Sequence, residues 1–184
     1  MEYEFTLKFK LGRSMPTDDE IMNSLASADC TDAFIGLGLP GYVSLEFTRE
    51  AQSAEEAILS AVRDAQRGLP GAQLIEAGPD FVNLTDVANM LGMSRQNMRK
   101  LFEKHSVVFP APVHAGTTVV WHLAPVLMFL KERHYVVAPT VWDVAWTAMH
   151  INSAREKVLI EPGLAERVQS RLAEFCEGWN IQTH

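Results

Sequence analysis

A glycine set between two short helical repeats constrains this chain more than any other feature. Across residues 83–105, Val87, Ala88 and Leu91 recur at helical spacing, and beyond Gly92 so do Met98, Leu101 and Phe102. Gly92 falls just past the end of the first repeat, where a chain leaving a helix often turns left-handed. Ser94 is placed to cap the second helix through its hydroxyl. Two helices bent around a glycine make a helix-turn-helix, the arrangement that lays its second helix in the DNA major groove. With Met98, Leu101 and Phe102 turned inward, Arg95, Gln96, Asn97, Arg99 and Lys100 point outward, and Lys104 follows one turn on. Such side chains read base edges or hold phosphates. The plain alternative is a helical hairpin with a solvated polar face.

The residues that follow extend the motif. Val107–Val113 is extended in character, with Pro110 and Pro112 ruling out a continued helix. His114–Thr118 reads as a turn and Val119–Trp121 as a second strand. Pro125 then suits the first turn of a helix from Ala124 to about Arg133, with Val126, Leu127, Phe129 and Leu130 for burial. His114, Thr117 and Thr118 at the tip are expected to donate hydrogen bonds to phosphate. Helix, turn, helix, two-stranded wing and closing helix make a winged helix-turn-helix over residues 81–133. The run Leu84-Thr85-Asp86-Val87-Ala88-Asn89-Met90-Leu91-Gly92-Met93-Ser94-Arg95, with Phe109-Pro110, Trp121 and Val126–Leu130 after it, resembles the winged-helix domains of MerR-type regulators and phage excisionases. The resemblance covers a little over a quarter of the chain. It implies a transcriptional regulator that binds double-stranded DNA, with dimer contacts C-terminal to the wing.

Charge is distributed unevenly. The whole chain carries −7, which argues against a general nucleic-acid coat protein. Residues 1–80 hold 6 Lys/Arg against 14 Asp/Glu, whereas residues 93–133 hold six cations against Glu103 and Glu132. A phosphate backbone responds to such local positive charge.

The first 80 residues read as a unit of their own. Tyr3, Phe5, Leu7 and Phe9 alternate with polar residues, the period of a half-buried strand. Thr17–Glu20 and Ser53–Glu56 are capping boxes, each opening an amphipathic helix. Residues 33–38 and 42–47 flank Leu39-Pro40-Gly41 as a hairpin, and residues 72–77 form a last strand. The order βαββαβ is that of a ferredoxin-like domain, giving an α+β chain. Such a domain is expected to bind a small effector, a partner protein or a second copy, or simply to stiffen the reader. Gly36-Leu37-Gly38 sits inside the hairpin with no helix start after it, so it is not a phosphate loop.

Residues 134–184 read as a C-terminal helical segment. Thr140–Asp143 resembles a capping box, and Val141, Val144, Ala145, Ala148, Met149 and Ile151 form an apolar face flanked by Trp142 and Trp146. A second helix carries Leu164, Val168, Leu172 and Phe175. The Trp142, Val144, Ala145, Trp146 and Met149 surface is expected to form a homodimer, the alternative being that both helices fold back on residues 1–80.

Catalysis has weak support in the sequence. The histidines at 105, 114, 122, 134, 150 and 184 make no metal-binding pattern, and no nucleophile elbow or Walker motif occurs. Asp18, Asp19 and Glu20 suit the start of a helix. Neither a cofactor nor a metal is expected. The start of the chain lacks the character of a signal peptide, and no apolar run reaches membrane-spanning length. Cys30 and Cys176 read as reduced thiols, so a cytoplasmic protein is expected. The competing function is a protein-interaction module, antitoxin-like or adaptor-like, whose winged helix binds protein.

Overall fold

The computed structural model describes residues 1–12 and 16–175. It is a mixed α+β structure with two antiparallel sheets. The described residues up to Asn152 form one compact unit and those from Ser153 to Phe175 a second.

The first sheet follows from alternation in the sequence. In β1 (Glu2–Lys10), Tyr3, Phe5, Leu7 and Phe9 are buried while their neighbours are not. Each such side chain gains roughly 1.5–3 kcal/mol from leaving water. β3 (Tyr42–Glu50) pairs antiparallel along its whole length, setting Phe5 against Phe47, whose rings stack at 5.2 Å. β2 (Ala33–Gly36) and β4 (Gln73–Gly78) are the edges, giving the order β2-β3-β1-β4. Gly41, at φ 81°, closes the β2–β3 connection, a conformation costly to any residue with a Cβ.

Two helices cover one face of this sheet. α1 (Asp18–Ser27) starts at Thr17, whose hydroxyl accepts the Glu20 N–H while the Glu20 carboxylate accepts the Thr17 N–H. α2 (Ala54–Gly68) is capped by Ser53, but the reciprocal bond is shifted: the Glu56 carboxylate accepts from the N–H of Gln52. Ala57, Ala61 and Ala65 bring α2 close to the sheet, and Ile58 fills the space between. Gly68 crosses tightly over α1, where a Cβ would lie 3.0 Å from the Leu25 Cα.

Cys30 is buried and free in this core. Burial pushes its thiol up to about 11, and the nearby Asp64 charge adds to the effect. A raised pKa stabilises the folded chain below the ordinary thiol value of 9.0 and loses that contribution as pH rises toward 11. In a Cys176→Ser background, Ellman labelling of Cys30 at about pH 8 is therefore expected to run about 100-fold slower than in urea. Labelling at the unfolded rate would show that the thiol is open to solvent. Cys176 and His184 lie outside the described residues.

The second core gathers around α5 (Leu123–Lys131), six of whose residues are buried, among them Leu123, Val126, Leu127 and Leu130. α3 (Leu84–Met90) and α4 (Arg95–Lys104) pack on it through Val87, Ala88 and Met98. Phe109 is held edge-on by Phe102, Trp121 and Phe129 at 5.1, 5.7 and 4.7 Å. Its small sheet has the order β5-β7-β6, with β5 (Phe81–Val82) against β7 (Val119–His122) and β6 (His114–Ala115) on the other side.

Two sequence expectations are corrected here. The first wing strand does not span residues 107–113. Pro110 and Pro112 withhold N–H groups, so pairing begins with Val113 N–H to Val120 O at 2.9 Å and continues into His114 and Ala115. The turn thus shortens to Gly116, Thr117 and Thr118. Thr140 is the second residue of α6 (Pro139–Lys157) and not its cap.

The larger correction concerns the apolar face of α6. Val144 and Ala148 are buried in the first core and Ala145 in the second, with Trp142, Trp146 and Met149 packed against the second. The chain's own two cores occupy that face, so it is not a dimer surface. Val144→Lys is expected to destabilise the chain by about 3–5 kcal/mol, because it buries an unpaired charge. Urea unfolding checks this; a folded monomer of undiminished stability would restore the dimer reading.

In the second unit, α7 (Pro162–Phe175) carries Leu164, Val168 and Leu172 four residues apart, each close to half exposed.

Candidate functional site

The turn between α3 and α4 is built from local bonds. Asn83 caps α3, its Oδ1 accepting from the N–H groups of Thr85 and Asp86, while the Asp86 carboxylate accepts the Asn83 N–H at 2.8 Å. Gly92 has φ 63°, the left-handed conformation that ends the helix, and Met93 N–H returns to Ala88 O at 2.9 Å. Ser94 Oγ then accepts the Asn97 N–H at 3.2 Å and starts α4.

Met98 pins α4 to the core with no exposed surface, and Leu101 and Phe102 are half-buried beside it. That fixes what lies outside. Ser94, Arg95, Gln96, Asn97, Arg99, Lys100 and Lys104 are all exposed, as are Thr117 and Thr118 in the turn of the small hairpin and His114, which the structure places in β6 and not at the tip. Every sequence-selected residue is therefore accessible, seven of them at the start of α4 or along it.

The charges are less free than the sequence count implies. Arg99 Nε is bonded to the Glu103 carboxylate at 2.8 Å, one turn on. Lys131 lies 4.8 Å from the Trp142 ring centre, and the Arg133 guanidinium lies 3.6 Å from that of Phe129 while donating to the Phe129 carbonyl. Arg95, Lys100 and Lys104 remain without an anionic or aromatic partner among the described residues. Glu103 shares the exposed stripe with Gln96 and Lys100 at i, i+4 and i+7 spacing, placing a carboxylate among the cations.

Sequence reasoning missed the group that holds this part against the first sheet. Asp80 and Asn152 are the buried polar residues of the described chain. The Asn152 amide lies against the edge of β4, with Oδ1 accepting from Ala77 N–H and Nδ2 donating to Ala77 O, both at 2.8 Å. Nδ2 also donates to Asp80 Oδ2 at 2.8 Å, and His122 Nδ1 donates to Asp80 Oδ1 at 2.7 Å. The Asp80 carbonyl accepts the first N–H of α5 at 2.7 Å. An asparagine within an apolar helical face was the available signal, since a polar side chain there must find partners.

Among the described residues, no helix is long and apolar enough to cross a membrane, and no group of three or more His, Cys, Asp or Glu is placed to hold a metal ion. No protein-family model, curated protein or solved structure matches the chain.

Proposed function

We propose that the protein is a sequence-specific DNA-binding regulator that reads the major groove with α4, its βαββαβ part being a ferredoxin-like domain and residues 81–133 a winged helix. The observation that carries this reading is the division of α4. One side is sealed by Met98, and the other presents Arg95, Gln96, Asn97, Lys100 and Lys104 to solvent from a helix capped at Ser94. The start of a second helix after a glycine turn is the part that meets base edges in such motifs. The resemblance of residues 84–130 to MerR-type regulators and excisionases points the same way. His114, Thr117 and Thr118 would donate to the flanking backbone, and the acidic remainder would hold off non-specific DNA.

A gel shift on random duplex DNA tests the reading. Retardation that falls steeply between low and moderate salt is expected, because bound cations release counterions from phosphate. Glu103→Gln frees Arg99 and removes from the exposed stripe a charge of the same sign as phosphate, so it is expected to tighten this binding several-fold. No retardation at any salt would favour the protein-interaction reading.

One short helix reads few base pairs, so paired half-sites and a homodimer belong to the same proposal. With α6 occupied, the stripe Leu164, Val168 and Leu172 is the C-terminal surface left for it. Light scattering is expected to give twice 20.5 kDa, and one 20.5 kDa protomer after Val168→Glu with Leu172→Glu. A wild-type chain monomeric with and without DNA would contradict the dimer.

A further inference from the structure

The face of the four-stranded sheet not covered by α1 and α2 carries a groove of about 820 Å³. Its floor crosses all four strands through Phe34, Glu46, Glu4 and Glu76, and Asp86 and Met90 of α3 line it as well. Three inter-strand spacings make that floor about 14 Å wide. The charge along it is one-sided. Lys8 and Glu76 are paired at 3.0 Å, whereas Glu4 and Glu46 have no cationic partner among the described residues. Phe34 stands 80% exposed in the middle of β2, in register with Glu46. An aromatic ring left in water beside unpaired carboxylates is a surface shaped for a cation with apolar carbon around it.

We propose that this groove docks a short basic peptide segment of a partner protein, with Lys or Arg side chains on Glu4 and Glu46 and an apolar side chain or cation stem on Phe34. Charge complementarity selects the occupant, because duplex DNA and acidic peptides are repelled here. The width suits about four or five extended residues, at roughly 3.3 Å each. The proposal gives a chemical class to the partner expected of residues 1–80 and does not depend on DNA binding. The groove and α4 carry opposite charge, so one chain would hold two unlike partners without competition between them.

The test is fluorescence anisotropy of a fluorescein-labelled peptide of alternating lysine and leucine, titrated with the full chain at about 0.15 M salt. Saturable binding is expected, weakened about tenfold or more in Glu4→Gln/Glu46→Gln and about threefold in Phe34→Ser. Asp18→Asn/Asp19→Asn, which removes the same charge outside the groove, is expected to leave the affinity unchanged, as is a glutamate–leucine peptide added as competitor. Loss of binding in that control pair to the same degree would reduce the effect to general attraction by an acidic chain and overturn the proposal. So would undiminished binding in Glu4→Gln/Glu46→Gln, or absence of binding to the wild type. Displacement by spermidine at matching concentration would replace the peptide with a free polyamine. Gel shifts of the same groove variants are expected to match the wild type, so failure here and failure of the DNA reading are separately visible.

Discussion

Replacing Asn152 by leucine is expected to remove about 3–5 kcal/mol of stability, among the largest effects of any single substitution in this chain. The amide satisfies three buried groups at once: the N–H and the carbonyl of Ala77, and one oxygen of Asp80. Leucine has the same branched shape, is bulkier, and leaves all three without a partner. Each neutral orphan costs about 1–3 kcal/mol, and a buried carboxylate oxygen costs more. Because Asp80 also holds His122 and the first N–H of α5, the loss reaches both cores together. Urea unfolding should show a lower midpoint in one cooperative transition. A cost under about 1 kcal/mol would mean that water replaces the amide, and that this network does not fasten the α3–α5 part to the sheet.

The second large effect is expected on DNA. Arg95 and Gln96 occupy the exposed start of α4, and under the proposed function that is the end which enters the groove. Arginine pairs with guanine O6 and N7, and glutamine with adenine N6 and N7. Arg95→Ala or Gln96→Ala is expected to cost roughly 1–3 kcal/mol on the preferred site while leaving random duplex binding nearly as it was. Lys100→Ala and Lys104→Ala are expected to weaken both alike and to lower the salt slope. Equal losses on both DNAs for Arg95→Ala would make it a phosphate contact.

Much of this architecture was legible because local signals agreed with the packing. Alternation in β1, the caps at Thr17, Ser53 and Ser94, and the left-handed Gly92 are decided within a few residues of sequence. The exposed face of α4 was legible for the same reason: burying Met98 leaves Arg95, Gln96 and Lys100 only one way to point. What escaped depends on partners far along the chain. β5 is two residues long and exists only because β7 offers it a ladder. The apolar face of α6 was visible, but two cores compete for it, and a helix-period pattern does not say whether its cover is the same chain or another. The Arg99–Glu103 pair lay in plain sight at i, i+4 spacing and was obscured by counting charges rather than pairing them.

Under the proposed function, α4 reads sequence in duplex DNA. Selection of bound duplexes from a randomised library by the purified chain, followed by sequencing, tests it most directly. Enrichment of an inverted repeat with half-sites about one helical turn apart is expected, with relaxed preference at one position in each half when Arg95 is alanine. A library that emerges with no enriched sequence, although the chain is folded and the salt low, would contradict it.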